Sequence, residues 1–287
     1  MRILMAGTRG SAPVTAPAAL PFGGDTTCLL VTGAGGERIV LDCGTGLPAL
    51  APRLGRAPEL LVLLTHFHLD HLAGLGTFSP LYAAGARITF AGPRHGGVGV
   101  EQAVRGLLQP PYWPIAIDAM ASTIAFRELA PEGTETPLRH CGLEVRWTAV
   151  PHPGGCTAYR VDEPATGGAM VLATDLEWDG ADPAQRQALV ALCREPRPAQ
   201  LLVHDGQYDA DDYERVRGWG HAVAEDAVAL AREAGVARLL ITHHDPTHDA
   251  ATLLAREQRL QTMQAGARPA VALARQGEEI MLEEDFR

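Results

Sequence analysis

The sequence predicts an α/β fold, and three observations carry that reading. Short apolar runs bounded by Gly and Pro recur along the chain, and Leu60-Leu61-Val62-Leu63-Leu64 is the clearest buried strand among them. In the second half such runs alternate with segments at helical spacing, over 183–194, 221–234 and 249–265. With 287 residues, 46% of them hydrophobic, the chain can bury a sizeable core, as one large domain or two small ones.

Taken in order, residues 2–6 read as a first strand, followed by a glycine-rich turn at 7–13 and an Ala/Pro loop running to Phe22. Residues 26–31 and 38–42 are strands around a Gly-rich turn at 33–36, a hairpin signal. The strand at 60–64 comes next, then the stretch 72–81, expected to contain a short helix. Residues 87–91 form another strand. Residues 98–108 read as a helix, with Val100, Val104, Leu107 and Leu108 near helical spacing, and the Pro-rich stretch 109–114 stops it. In that stretch Tyr112 and Trp113 could line a pocket mouth or pack the loop onto the body. Residues 123–129, 143–150 and 157–161 read as strands, and 169–175 is an apolar strand ending in a carboxylate. Asp179 and Asp182 suit turn capping, and Pro183 stands at an allowed early position of the 183–194 helix. Strand 200–203 precedes His204-Asp205-Gly206-Gln207-Tyr208. Gly220-His221 opens the 221–234 helix, which Gly235 ends. Strand 236–241 leads into Thr242-His243-His244-Asp245, and 270–273 and 279–282 read as short closing strands.

Acidic residues outnumber basic ones 34 to 24, a formal net charge of −10, and every basic residue is Arg. Such a surface repels polyanions at long range and weighs against long RNA or DNA as substrate, although a local metal charge can still bind one phosphate. No stretch reaches the roughly 18 apolar residues of a membrane span, so no membrane partner is expected. The N-terminus lacks a long apolar signal core. Cys28, Cys43, Cys141, Cys156 and Cys193 show no C-x-x-C spacing, which points to reduced thiols in a cytoplasm.

The chemistry is concentrated in Thr65-His66-Phe67-His68-Leu69-Asp70-His71, straight after the buried strand. Alternate side chains of an extended segment share a face, so His66 and His68 can grip one ion together. Asp70 and His71 fall where the chain turns, at the start of a helix, and can face a second ion. Imidazole nitrogen and carboxylate oxygen are the donors that zinc and similar divalent cations accept.

This H-x-H-x-D-H pattern resembles the metallo-β-lactamase superfamily, and the chain is similar to that family along most of its length. The resemblance implies an αββα sandwich, two mixed β-sheets packed face to face with helices on the outer faces. It implies a hydrolase site at one edge, and a single domain over 1–287. Gly7-Thr8-Arg9-Gly10-Ser11, Gly23-Gly24-Asp25-Thr26-Thr27 and Asp42-Cys43-Gly44-Thr45-Gly46 resemble the ribonuclease Z and PhnP-type phosphodiesterase branch. So does His152, which precedes a short spacer and a Tyr159-Arg160 strand and not the Gly-His-Thr turn of glyoxalase II and true β-lactamases. The family pattern implies one metal held by His66, His68 and His152 and a second by Asp70, His71 and His243, with Asp175 bridging. His244 competes with His243, but the pattern puts the ligand directly after Thr242. Cys156 lies close enough in sequence to His152 to be a further candidate. The cofactors would be two divalent cations; zinc suits a histidine-rich set, and iron or manganese can occupy similar ones. Asp205 and His221 match the positions of an acid pair in ribonuclease Z, with Asp205 orienting His221 as general acid; Asp70 is counted with them as catalytic. The departure is Asp205 where many relatives have Glu. Asp42 is placed to orient a ligand histidine.

Ribonuclease Z relatives carry a long inserted arm that grips tRNA. The interval from Asp175 to Asp205 holds one predicted helix, so a phosphodiesterase acting on a small phosphodiester, cyclic or nucleotide, is the expected function, with nucleic acid set aside as a partner. A lactonase or β-lactamase-like acyl hydrolase and a tRNA 3′-processing endonuclease are the alternatives. A non-enzymatic metal-binding module is disfavoured by the intact ligand set. The oligomeric state, a homodimer included, is open.

Overall fold

The computed structural model describes residues 1–133, 136–264 and 267–282. The expected span of 1–287 and the end of the 249–265 helix therefore include residues outside the described ones.

The first half of the chain lays down one sheet in sequence order. β1 (Arg2–Gly7), β2 (Cys28–Thr32) and β3 (Arg38–Leu41) pair antiparallel, and β4 (Glu59–Leu63), β5 (Arg87–Pro93) and β6 (Thr123–Leu129) extend the sheet in parallel from β3. The second half repeats the plan. β7 (Leu138–His140), β8 (Leu143–Val150), β9 (Cys156–Glu163) and β10 (Gly168–Ala173) pair antiparallel, and β11 (Leu201–Asp205), β12 (Arg238–Thr242) and β13 (Ala270–Leu273) follow in parallel from β10. β14 (Glu279–Met281) then returns to the free edge of β1, completing two mixed sheets of seven strands each.

Strand β4 shows how the layers form. Leu61 and Leu63 point inward and meet Val145, Tyr159, Val161, Met170 and Leu172 of the other sheet. Leu60, Val62 and Leu64 point outward and pack with Leu47, Leu50, Val100 and Val104. Alternation across the pleat thus feeds two cores at once. The outward face of the second sheet, Val171, Ala173, Leu202, Leu239 and Ile241 among others, is covered by Leu189, Val228 and Leu253. The outer layers carry the helices: α1 (Ala51–Leu54) and α2 (Val100–Leu107) on the first sheet, α3 (Pro183–Arg194), α5 (Ala224–Ala234) and α6 (Ala250–Met263) on the second, with the short α4 (Tyr213–Val216) in the loop before α5. This is the αββα sandwich expected from the sequence. Strands buried on both faces read as continuous apolar runs, which is why 60–64 was so legible.

Three local departures have physical causes. Residues 69–82 form 3-10 turns, Leu69–His71, Leu75–Thr77 and Ser79–Tyr82, and not the expected short helix. Gly74 N donates to Cys43 O at 2.9 Å, and a Cβ on Gly76 would stand 2.6 Å from the Trp113 ring, so close packing fixes the backbone. The 221–234 helix starts late, at Ala224, because Tyr208 and Val223 form a β-bridge that keeps the preceding residues extended. The aromatic pair divides its roles. Trp113 packs on the body, its Nε1 donating to Tyr82 Oη at 2.8 Å, while Tyr112 is 74% exposed and lines a cavity. Asp182 caps α3, accepting from Ala184 N, but Asp179 is no cap and pairs with Arg217. Among the described residues no helix is long and apolar enough to cross a membrane.

Candidate metal centre

The C-terminal ends of β3, β4, β8, β10, β11 and β12 deliver the polar residues to one edge of the sandwich, the usual place for a site in α/β sheets. Asp42 follows β3, the 66–71 stretch follows β4, and His152 follows β8. Asp175 lies two residues past β10, Asp205 ends β11, and His243 follows β12. Three of these residues leave their strands in the left-handed backbone region: Asp42 at φ 59°, Asp175 at 55° and His243 at 60°. That conformation is uncommon for non-glycine residues, and Asp and His are among those that adopt it most readily.

Two donor groups result. Ligand atoms of His66, His68, His152 and Asp175 lie within 4.8 Å of one another, and so do those of Asp70, His71, Asp175 and His243. Asp175 is common to both. His71 Nε2 is 3.2 Å from Asp175 Oδ1 and 3.4 Å from Asp70 Oδ2. His243 Nε2 is 3.3 Å from Asp175 Oδ2 and 3.4 Å from Asp70 Oδ2. On the other side, His66 Nε2 is 3.6 Å from Asp175 Oδ2, and His152 Nε2 is 3.2 Å from His68 Nδ1. Donors arranged tetrahedrally at Zn–N or Zn–O bonds of about 2.05 Å lie roughly 3.3 Å apart, so these separations suit a shared cation.

A second observation tests the fit. The buried Nε2 atoms of His66, His71 and His243 make no hydrogen bond. Their outer nitrogens are all engaged: His71 Nδ1 with Asp42 Oδ2 at 2.8 Å, His243 Nδ1 with Gln207 Oε1 at 2.8 Å, and His66 Nδ1 with Thr65 Oγ1 at 3.1 Å. His152 Nδ1 likewise donates to Gly220 O at 2.8 Å. In the neutral ring each outer partner fixes the tautomer whose lone pair points inward, and a buried lone pair is costly unless a proton or a cation takes it. The residues present therefore fit a pair of divalent metal ions.

The charges agree. Burial pushes His66, His68 and His152 below the ordinary histidine value, which favours the neutral, ligating form. Burial also opposes a proton on His71, but Asp175, Asp42 and Asp70 together outweigh it and raise the value. Burial likewise works against ionised Asp70 and Asp175, yet the surrounding histidines hold both carboxyls well below the usual range.

Beside the metal groups lies a proton-bearing pair. His221 Nδ1 donates to Asp205 Oδ2 at 3.0 Å, and Leu176 N and Ala222 N point at the same oxygen. Burial disfavours a charge on His221, but Asp205 more than offsets it and the value rises to about 9. The His221 ring stacks on His243 with centroids 4.7 Å apart, and its Nδ1 is 4.0 Å from Asp175 Oδ2. His221 precedes α5 and does not open it, contrary to the expectation from sequence; Val223 before the helix is extended, and the His221 ring is buried.

All nine sequence-predicted residues, His66, His68, Asp70, His71, His152, Asp175, Asp205, His221 and His243, meet at this edge. His244 does not compete with His243; its Nε2 bonds Ala274 O at 2.8 Å. Cys156 is in neither donor group; its buried thiol donates to Thr174 O at 3.3 Å and lies 3.8 Å from the outer Nδ1 of His66. Sequence reasoning missed Gln207, whose only signal was its place two residues after a strand-end Asp. It also missed the first turn as a wall of the site. Ser11 N donates to Asp70 Oδ2 at 2.8 Å, and a Cβ on Gly10 would stand 2.2 Å from His243 Nδ1.

Comparison with known proteins bears on this arrangement. Residues 37–244 match the family described as Beta-lactamase superfamily domain. Ribonuclease Z of Haloferax volcanii is 26% identical over 278 residues, covering 85% of this chain and 84% of the relative. Among solved structures, the short form of human tRNase Z superposes with a TM-score of 0.69 at 20% identity, covering 98% of this chain and 99% of that one. A diphosphatase from the PhnP family superposes with a TM-score of 0.66 at 17% identity, covering 98% of both chains. The last two likenesses are likenesses of fold.

Proposed function

From the premise that this chain belongs to the beta-lactamase superfamily, in its ribonuclease Z and PhnP-like branch, and is a metal-dependent hydrolase, we propose that it is a phosphodiesterase acting on a small phosphodiester. One observation carries the reading. A buried His221–Asp205 pair stands against the ligand histidine His243, where a leaving alkoxide needs a proton. A β-lactam or an activated lactone gains less from such a donor.

His66, His68 and His152 would hold one divalent cation, Asp70, His71 and His243 the other, and Asp175 both. Cations bound there would supply Lewis acidity, lowering the pKa of water and offsetting charge on the phosphoryl oxygens. Zinc suits this donor set. Asp42, Gln207 and the Gly220 carbonyl aim the ligating rings. Asp205 fixes the Nδ1–H of His221, which leaves Nε2 to give its proton to the departing oxygen. Asp205 stays ionised throughout and acts by orienting and charge.

The relatives' name favours one second reading, cleavage of RNA at a tRNA 3′ end, so setting nucleic acid aside from acidic charge alone goes too far. The interval between Asp175 and Asp205 contains α3 and strand β11, without the arm that the ribonuclease Z resemblance implies. Zinc-loaded protein assayed against bis-p-nitrophenyl phosphate, a 2′,3′-cyclic nucleotide, a precursor tRNA, nitrocefin and a lactone separates the readings. Turnover of the two small diesters above the others supports the proposal. Lactone opening with no diester cleavage overturns it, and tRNA cleavage alone selects the second reading.

A further inference from the structure

A cavity of about 550 Å³ opens beside the His66–His68–His152 group, and His66 and His68 form part of its wall. The rest of that wall is largely apolar. Phe67 and Leu69 come from the ligand loop, Leu107 and Gly106 from α2, His95 from the loop after β5, and Tyr112 from the Pro-rich turn. Among the described residues, no Arg, Asp or Glu lines it. Neither His221 nor His243 belongs to it, so it flanks the metal groups on the side away from the proton donor. His95 Nε2 is already engaged by Thr157 Oγ1 at 3.2 Å. Leu69 stands between two ligand residues and is nevertheless 65% exposed. Large apolar side chains placed in water at a site mouth mark a surface that a ligand covers, and the volume falls in the range of small organic ligand sites.

We propose that this cavity is a substrate subsite for a flat apolar group, an aryl ring or two fused rings, carried on the ester oxygen that is retained when the diester is cleaved. The proposal rests on the phosphodiesterase reading for the word ester, and the cavity's chemistry carries the rest. A polyanionic strand would call for Arg along its path, and none is there. A nucleobase would call for several donors and acceptors aimed at its edges; apart from the metal-facing histidines, the lining side chains offer the second ring nitrogen of His95, whose Nε2 is engaged by Thr157, and the Tyr112 hydroxyl. Rings can stack on Phe67, His95 and Tyr112, whose walls ask only for apolar contact. Retained group in the cavity and leaving group toward His221 gives the diester one orientation across the two metal groups.

Gly106 supplies a clean probe. A Cβ there meets nothing within 4 Å, and its helical backbone accepts any side chain, so Gly106→Leu should fill the cavity and strengthen α2. The test is calorimetric binding of methyl phosphate, phenyl phosphate, 1-naphthyl phosphate and uridine 5′-phosphate to protein loaded with two zinc ions. Affinity should rise along methyl, phenyl and naphthyl by at least about tenfold overall. Gly106→Leu should remove about tenfold from naphthyl and leave methyl phosphate within about twofold, and Tyr112→Ala should reduce naphthyl binding in the same selective way. A flat series, equal losses for all ligands, or uridine 5′-phosphate binding tighter than 1-naphthyl phosphate would overturn the subsite. The rising series without cleavage of any diester would sink the reaction assigned above while leaving the subsite standing. Cleavage of small diesters with a flat series would do the reverse.

Discussion

Replacing Asp205 with Asn removes the charge that holds a proton on His221 while keeping a side chain of the same shape. In the folded protein His221 sits at about 9, raised against burial chiefly by Asp205 and less by Asp175 and Asp70. Bound cations neutralise the last two, so Asp205 is the contribution that persists in the loaded enzyme. The sign follows. A raised histidine value means the acid form is complete below it and is lost as pH rises through it, so wild-type cleavage of an alkyl diester should hold to near pH 8 and then fall. With the charge gone, His221 drops to the ordinary 6.5 or below. At pH 7.5 the protonated fraction then falls from nearly all to about one part in ten, a loss of about tenfold that acid pH restores. A p-nitrophenolate leaving group needs no proton, so bis-p-nitrophenyl phosphate should change by less than about threefold. The assay is the pH–rate profile of both proteins on a 2′,3′-cyclic nucleotide and on bis-p-nitrophenyl phosphate, with metal content measured alongside. An alkaline limb that does not move, or equal losses on both substrates at full metal content, would refute the acid role.

Other expectations follow from the same geometry. Gly10→Ala places a methyl group 2.2 Å from His243 Nδ1, so elemental analysis should find about one ion per chain where wild type holds two. Gln207→Leu strips the outer partner from His243 and should weaken one metal by about 10–100-fold in chelator competition; unchanged affinity would show that the tautomer is set elsewhere. His71 keeps its proton in the metal-free protein because Asp175, Asp42 and Asp70 outweigh burial, so zinc uptake near pH 7.5 should release at least one proton, read by calorimetry in buffers of different ionisation enthalpy. Arg9→Met leaves four carbonyls without their donor, those of Ala19 and Gly23 buried and those of Asp245 and His248 partly buried. That should cost about 3 kcal/mol or more and lower Tm by roughly 6 °C; a smaller shift would mean the loops re-pair without it.

How much the sequence discloses depends on how locally each feature is determined. The 66–71 cluster is legible because six consecutive residues carry the ligands and a buried strand precedes them. His152, Asp175 and His243 are legible as polar residues at the ends of apolar strands, though their convergence is a property of the two sheets. Gln207 and the Gly220 carbonyl are invisible because they act through the far nitrogen of a ring that sequence places tens of residues away. The late start of α5 has the same origin: a bridge between Tyr208 and Val223 overrides helical spacing. The left-handed backbone at Asp42, Asp175 and His243 has no composition signal, since only tertiary contact pays its strain. Tyr112 and Trp113 show the limit most simply, for adjacent aromatic residues in one proline-rich turn take opposite fates.

The donors are divided between the two sheets. His66, His68, Asp70 and His71 hang from the first, and His152, Asp175 and His243 from the second. Each ion would therefore rivet both halves of the sandwich along one seam. At free metal a hundredfold above its dissociation constant, one such rivet adds about 2.7 kcal/mol to the folded state. Starving the protein of metal should then open that seam to proteases before the far edge frays, so the supply of ions would govern how long the molecule survives as well as how fast it works.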